Sequence, residues 1–360
     1  VNNFMIEMFL NYEDEERLVY SYYDLSPTEF SHKIDSLRNQ KLDELTNLVI
    51  GEDLSERAYA MAKATVDYNS YSYKEKYPFY HRRKTSEDNL HQLDSAFYDY
   101  RRLLDFNNLE LAFFKPYYDF MINHFGNLSY TTCSANCQKM IKKPAAKHLH
   151  FNRHKMALID SLINTNELRD NLFRNVAMDY LLKVHHIDTQ SEVFIKEFHG
   201  LSSNENHKQE IDELYQAIEH LQVDNVLPHI LVENSKGENQ TFKEISKNHN
   251  TVFYFWTASR KRHLRNVSKQ LRKLKTKYPQ YNYVGISLKT GKEQWKKLID
   301  EYGLDAKNQY WGGDFDKIQR TLLIDGLNKC IISKDSVILD GFANIFQPFK
   351  EKPEKALVVN

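Results

Sequence analysis

Residues 251–270 read TVFYFWTASRKRHLRNVSKQ, and the chain changes its period part-way through them. Thr251 to Trp256 is an unbroken run of β-branched and aromatic residues, the composition of a strand buried on both faces. Thr257 to Ser259 is short and polar. From there Leu264, Val267, Leu271, Leu274 and Tyr278 recur at steps of three and four, which predicts a helix over Ser259–Tyr278 with one apolar stripe. Its other face carries Arg265, Lys269, Arg272, Lys273, Lys275 and Lys277, and Arg260-Lys261-Arg262 stand at its start. Positive side chains at a helix N-terminus oppose the macrodipole, so this arrangement needs a reason. It offers either a solvated face or a receiving site for an anion such as phosphate or carboxylate, with Arg260, Arg262 and His263 beside free helix N–H groups.

Outward from this stretch, the C-terminal third alternates strands and helices. Leu227–Glu233 is expected as a strand, Asn234–Glu238 as a turn around Gly237, and Gln240–Phe242 as a return strand. A strand at Tyr281–Leu288, helices at Glu293–Tyr302 and Phe315–Leu322, and strands at Lys329–Ser333 and Ser336–Asp340 complete it. Such alternation closing on a hairpin implies an α/β sheet with mixed strand direction.

Residues 1–222 read differently. Ser26-Pro27-Thr28-Glu29 forms a capping box with Pro at the first helical position, opening a helix through about Leu48. Further helices are expected over Leu54–Tyr71, Asn89–Leu104, Leu109–Phe125, Lys155–Ile163, Glu167–Val184, Ser191–Phe198 and Lys208–Leu221. Glycine occurs here only at 51, 126 and 200, which favours helices over tight strand turns. The tyrosine-rich piece Tyr68–Lys84 suits half-buried helix faces better than a stacking surface. The expected boundary falls at Val223, giving a helical domain of residues 1–222 and a second domain of 223–360.

The 360 residues are 41% hydrophobic and 27% charged, the balance of a folded chain and not of a disordered one. No apolar run is long enough to span a membrane. The chain opens at Val1 without an initiator Met or an apolar leader, so a processed or trimmed form is expected, with any targeting signal already removed. The net charge is zero but uneven: residues 1–100 carry 19 Asp/Glu against 11 Lys/Arg, whereas Ile245–Lys292 carries 12 Lys/Arg and no acid. That asymmetry points to an electrostatic partner, within the chain or outside it. Nucleic acid is not the expected one, because no recognised binding module accompanies the charge. Three cysteines are too few for a disulfide framework.

Taken in order, Leu227-Pro228, Gly237, Phe255-Trp256, Val284-Gly285-Ile286-Ser287, Trp295, Gly326-Leu327-Asn328-Lys329 and Ile331-Ile332-Ser333-Lys334-Asp335 carry a resemblance. Over about Asn225–Phe349 the chain resembles the TlpA/ResA-like, redoxin branch of the thioredoxin superfamily, thiol–disulfide proteins of the bacterial cell envelope and periplasm. The resemblance implies an α-helical N-terminal domain followed by an α/β thioredoxin-like C-terminal domain, a mixed sheet flanked by helices. It also exposes two departures. The family's C-x-x-C falls on Arg260 and His263, and its cis-proline falls on Asn328. Neither Arg nor His exchanges a disulfide, and a cis peptide before Asn costs about 3 kcal/mol, so a trans loop is expected. The reading is a degenerate active site: a two-domain protein, more a binding protein than an enzyme, needing no cofactor. Its partner would be a protein or a small anionic ligand, met by Trp256, Arg260, Lys261, Arg262, His263 and Asn328.

Two alternatives stay open. One is a thiol–disulfide oxidoreductase acting through an unconventional cysteine, for which Cys330 is the candidate, although a free Cys on a central strand is commonly an inert small hydrophobe. The other is a zinc-stabilised interaction module: Cys133-x3-Cys137-x12-His150-x3-His154 has the spacing of a C2H2 finger. Against it, Ile141 and Lys147 replace the finger's core positions and Pro144 interrupts it, so an inert or bridged Cys133/Cys137 pair is preferred. The pair His185-His186 reads as a helix end.

Overall fold

The structure is a computed structural model that describes residues 2–51, 55–91, 93–133, 144–185 and 187–349. Two compact units emerge, one of residues 1–180 and 190–208, the other of residues 181–189 and 209–360.

The first unit is helical. Its elements are α1 (Asn2–Leu10), α2 (Tyr12–Tyr22), α3 (Pro27–Gly51), α4 (Glu56–Thr85), α5 (Lys115–Thr131), α6 (Pro144–Leu162), most of α7 (Asn166–Val184) and α8 (Thr189–Leu201). The capping box is present at α3: Glu29 N–H donates to Ser26 Oγ and Ser26 N–H donates back to Glu29 Oε2. α4 runs 14 residues past the predicted stop at Tyr71, through Pro78. Tyr68, Tyr71, Tyr73 and Tyr77 are buried along it, so packing of the tyrosine face outweighs the hydrogen bond that Pro78 removes. The predicted helix Asn89–Leu104 is not formed as such. Ser86 enters the left-handed region (φ 59°) and ends α4, and only Ser95–Leu103 coils again, as a 3-10 helix. A buried carboxylate organises this unit: Glu75 accepts from Arg101 Nε (2.9 Å) and Nη2 (2.6 Å), from His124 Nδ1 (2.8 Å) and from Asn127 Nδ2 (2.7 Å). Burial alone would raise its pKa, but the hydrogen bonds from His124 and Arg101 outweigh it and hold Glu75 below the usual carboxylate value.

The second unit is α/β, a mixed sheet flanked by helices. After α9 (Glu205–His220) come β1 (Leu231–Glu233), β2 (Asn239–Thr241), α10 (Phe242–Ser246), β3 (Asn250–Trp256), α11 (Lys261–Lys277), β4 (Tyr281–Ser287) and α12 (Lys292–Glu301). Then follow β5 (Gln309–Trp311), α13 (Phe315–Leu322), β6 (Lys329–Lys334) and β7 (Val337–Asn344). The seven strands form one mixed sheet in the order β2-β1-β5-β4-β3-β6-β7. β3 pairs in parallel with β4 and antiparallel with β6.

β3 is an internal strand with both faces covered, which is why its sequence is apolar throughout. Val252, Tyr254 and Trp256 pack on one side with Leu264, Val267, Leu271 and Leu274 of α11 and with Trp295 of α12. Phe253 and Phe255 pack on the other with Phe242 and Ile245 of α10 and Ile318 and Leu322 of α13. At Gly341 on β7 an added Cβ would lie 2.2 Å from the Leu221 carbonyl oxygen, so only glycine admits that approach. The predicted strand Leu227–Glu233 is ladder-bonded to β2 only from Leu231. Pro228 has no N–H to donate, and Leu227 instead donates to Ser336 O (2.9 Å).

Candidate functional site

The end of β3 and the start of α11 are held from below. Trp256 is fully buried, and its indole N–H donates to Gln309 Oε1 (3.2 Å) while Gln309 Nε2 donates to Tyr254 OH (2.8 Å). Ala258 N–H donates to Thr290 Oγ1 (3.1 Å), tying the β3–α11 turn to the β4–α12 loop. Arg260 occupies the N-cap position of α11. Its side chain cannot accept a hydrogen bond and makes no capping bond, and no acid stands in the first turn. The first-turn N–H groups of an α-helix have no intrahelical partner, so this start presents donors and positive charge together.

The turn opens on a cleft of about 480 Å³. Arg260, His263 and Ser259 line it from the helix start, and Lys289 from the β4–α12 loop. Phe315 lines it from α13, and Asp325, Leu327 and Asn328 from the loop before β6. The Lys289 ammonium sits 4.0 Å from the centre of the Phe315 ring. The Asn328 carbonyl accepts from Ile345 N–H (2.8 Å), which fixes the facing loop, and no cis peptide occurs among the described residues. His263 is half-buried, with the Asn328 side chain and the Leu327 backbone beside it, yet neither ring nitrogen completes a hydrogen bond. Burial lowers the His263 pKa below its ordinary value and the Arg260 guanidinium lowers it further, while Asn328 and the Leu327 backbone oppose them. A bound anion would favour protonation of the imidazole. Arg260 and Lys289 face one carboxylate, Asp325, so the cleft favours an anionic group with an apolar portion against Phe315 and Leu327.

The fold places Arg260, His263 and Asn328 on one cleft. It does not bring Trp256 to the surface: the indole supports the turn from inside the core. Lys261 and Arg262 are exposed on the first turn of α11 but do not line the cleft. Lys289, Phe315 and Asp325 were not anticipated, since loops far apart in sequence deliver them. Lys329, next to Asn328, is also notable. Burial depresses its pKa to about 8, its Nζ donates to Leu323 O (3.3 Å), and it lies 4.2 Å from the Phe342 ring centre.

Cys330 is fully buried opposite Tyr254, and burial pushes its thiol well above the ordinary range. Cys133 Sγ lies 3.1 Å from His150 Nε2, and Thr132 Oγ1 is 2.9 Å from His154 Nε2. His150 and His154 share one face of α6 at i, i+4 spacing. Cys137, the remaining member of the finger-like set, and His186 lie outside the described residues. His185 stacks on Phe342 (4.1 Å, 11°).

A scan against family models and a search of curated proteins return no match. Among solved structures, the thioredoxin domain of a thiol-disulfide oxidoreductase from Bacteroides vulgatus is similar at 22% identity and TM-score 0.30, over 33% of this chain and 87% of that one. A thiol-disulfide oxidoreductase from Bacteroides fragilis is similar at 23% identity and TM-score 0.28, over 34% and 92%. A thioredoxin-like protein from Bacteroides caccae spans more, 62% of this chain and 89% of that one, at 10% identity and TM-score 0.37. Among the described residues no helix is long and apolar enough to cross a membrane.

Proposed function

We propose that this chain is a binding protein whose thioredoxin-like domain, residues 223–360, receives an anionic group where relatives of that fold carry a dithiol. The observation that carries this reading is the uncapped, acid-free start of α11, with Arg260 and His263 opening on a cleft faced by Asn328 and Lys289. A helix start with cationic side chains recognises carboxylate or phosphate through backbone N–H groups and charge together. Dithiol exchange needs a thiolate at that first turn. Arg260 and His263 cannot supply one, and Cys330 is sealed in the core with its thiol held protonated. The remaining residues, 1–222, form a separate helical domain in this reading. The bacterial cell envelope is the proposed location, on the sequence resemblance.

The full chain, labelled with 15N, is titrated with inorganic phosphate and with acetate while the amides of Arg260 to Leu264 are followed by NMR. Saturable shifts there, lost in R260A, are the expected result. Absence of shifts at either anion's millimolar concentrations would overturn the anion-binding reading. An insulin-reduction assay with dithiothreitol tests the non-catalytic part: turnover abolished by Cys330→Ser would overturn it.

A further inference from the structure

The turn that ends α4 draws three metal-binding side chains to one point in the helical unit. His81 is 5% exposed, with its ring stacked on Tyr77 (4.9 Å, 25°). Its Nδ1 lies 2.8 Å from the Tyr23 carbonyl oxygen. A carbonyl only accepts, so Nδ1 carries the proton and Nε2 is the nitrogen left to act. Ser86, in the left-handed region, returns its N–H to Arg82 O, and Glu87 N–H donates to the same carbonyl (3.1 Å). That reversal sets Glu87 Oε1 3.4 Å from His81 Nε2 and Glu87 Oε2 3.8 Å from His91 Nδ1. The two imidazoles stand edge to face, centroids 5.5 Å apart. One ligand atom from each of the three residues lies within 4.8 Å of the other two.

The far nitrogen of His81 is clamped by a backbone carbonyl, the arrangement that fixes the tautomer of a metal-ligating histidine. In that tautomer the Nε2 lone pair faces a carboxylate oxygen, and two acceptors attract one another through a cation between them. The C-terminus of the 30-residue helix α4 adds the negative end of its dipole. Lys84, in the last turn of α4, is drawn aside: its Nζ donates to Tyr20 O (2.8 Å) and Ser21 O (3.2 Å). Two imidazoles and one carboxylate form a ligand set suited to a borderline-soft dication. Bonds of about 2.0–2.2 Å separate tetrahedral ligands by about 3.4 Å, so a shift of roughly 1 Å by Glu87 and His91 would close the set. Both side chains are exposed and lie beyond the helix end, where such a shift is cheap.

We propose that His81, Glu87 and His91 bind one Zn²⁺-class ion, which fastens the chain after α4 to the helix and leaves a coordination position to water. The test is calorimetric titration of the chelator-stripped full chain with ZnCl2, with Co²⁺ absorption as a report on ligand type. Expected are one saturable site of nitrogen and oxygen donors without a thiolate charge-transfer band, and weakening by about tenfold or more in both E87Q and H91A. Both variants change exposed groups, so folding is retained and circular dichroism checks it. C133S should bind as tightly as the parent. No saturable binding would overturn the proposal. So would unchanged affinity in E87Q and H91A, or loss of the ion in C133S, which would assign it to the Cys133–His150 region.

Discussion

The support beneath the cleft turn can be tested by Gln309→Leu, which keeps the side-chain volume close and removes both polar atoms. Gln309 is 1% exposed, as is Tyr254, and Trp256 is fully buried. The substitution leaves the Trp256 indole N–H without its acceptor and the Tyr254 hydroxyl without its donor. A buried polar group left unsatisfied costs about 1–3 kcal/mol, so two orphaned groups predict a loss of about 2–6 kcal/mol. Adding Tyr254→Phe removes one orphan, and the double variant should recover to a loss of about 1–3 kcal/mol, a coupling that independent sites would not show. All three tryptophans, at 256, 295 and 311, belong to the sheet unit. Urea unfolding followed by tryptophan emission therefore isolates the unit that holds the network. A loss below about 0.5 kcal/mol for Gln309→Leu, the usual range of an uninvolved surface change, would refute the argument. So would a double variant weaker than the single one.

Three further outcomes follow from the geometry. The His263 imidazole should titrate below 6.5 by NMR, and Arg260→Ala should raise its midpoint; because the folded value is depressed, the unfolded chain binds more protons, and stability present above pH 6.5 falls away as pH drops through the folded value. A His263 midpoint at or above 6.5 would contradict the burial argument. The Cys330 peptide should resist iodoacetamide in the folded chain and label only on unfolding, as mass spectrometry would show; native labelling at the rate of a free thiol would count against a sealed core. Glu75→Gln should cost the helical unit about 3–5 kcal/mol by removing the partner of partly buried Arg101 and buried His124, read as loss of hydrogen-exchange protection across α4 and α5. Since the Glu75 pKa is depressed, its contribution is present above pH 4.5 and lost as pH falls through the folded value, and a variant protected like the parent would refute the network's role.

The elements that sequence reading recovered are those whose signal is local and repeated. Thr251–Trp256 and the stripe Leu264–Tyr278 announce a buried strand and an amphipathic helix because their periods differ. The Ser26–Glu29 capping box marks a helix start within four residues. Elements without repetition were missed: β5 has three residues and α10 five, too short for a period to show. Asn89–Leu104 misled because its helix-like pattern begins after a left-handed Ser86 that no pattern predicts. Trp256 was placed at the binding surface because the motif ends on it, but the α11–α12 layer covers it.

By itself, then, the sequence determined that a strand, a polar turn and a basic helix start follow one another at residues 251–263, with no thiol at the turn and Asn328 in the loop before β6. Those are properties of neighbouring residues, set by side-chain chemistry and backbone period. Tertiary structure alone decided what meets that turn. Lys289, Phe315 and Asp325 converge on Arg260 because the strand order β5-β4-β3-β6 brings the loops after β4 and before β6 to the same end of the sheet. His81, Glu87 and His91 converge because one left-handed residue reverses the chain. Convergence depends on contacts between distant segments, and local sequence pattern carries no record of them.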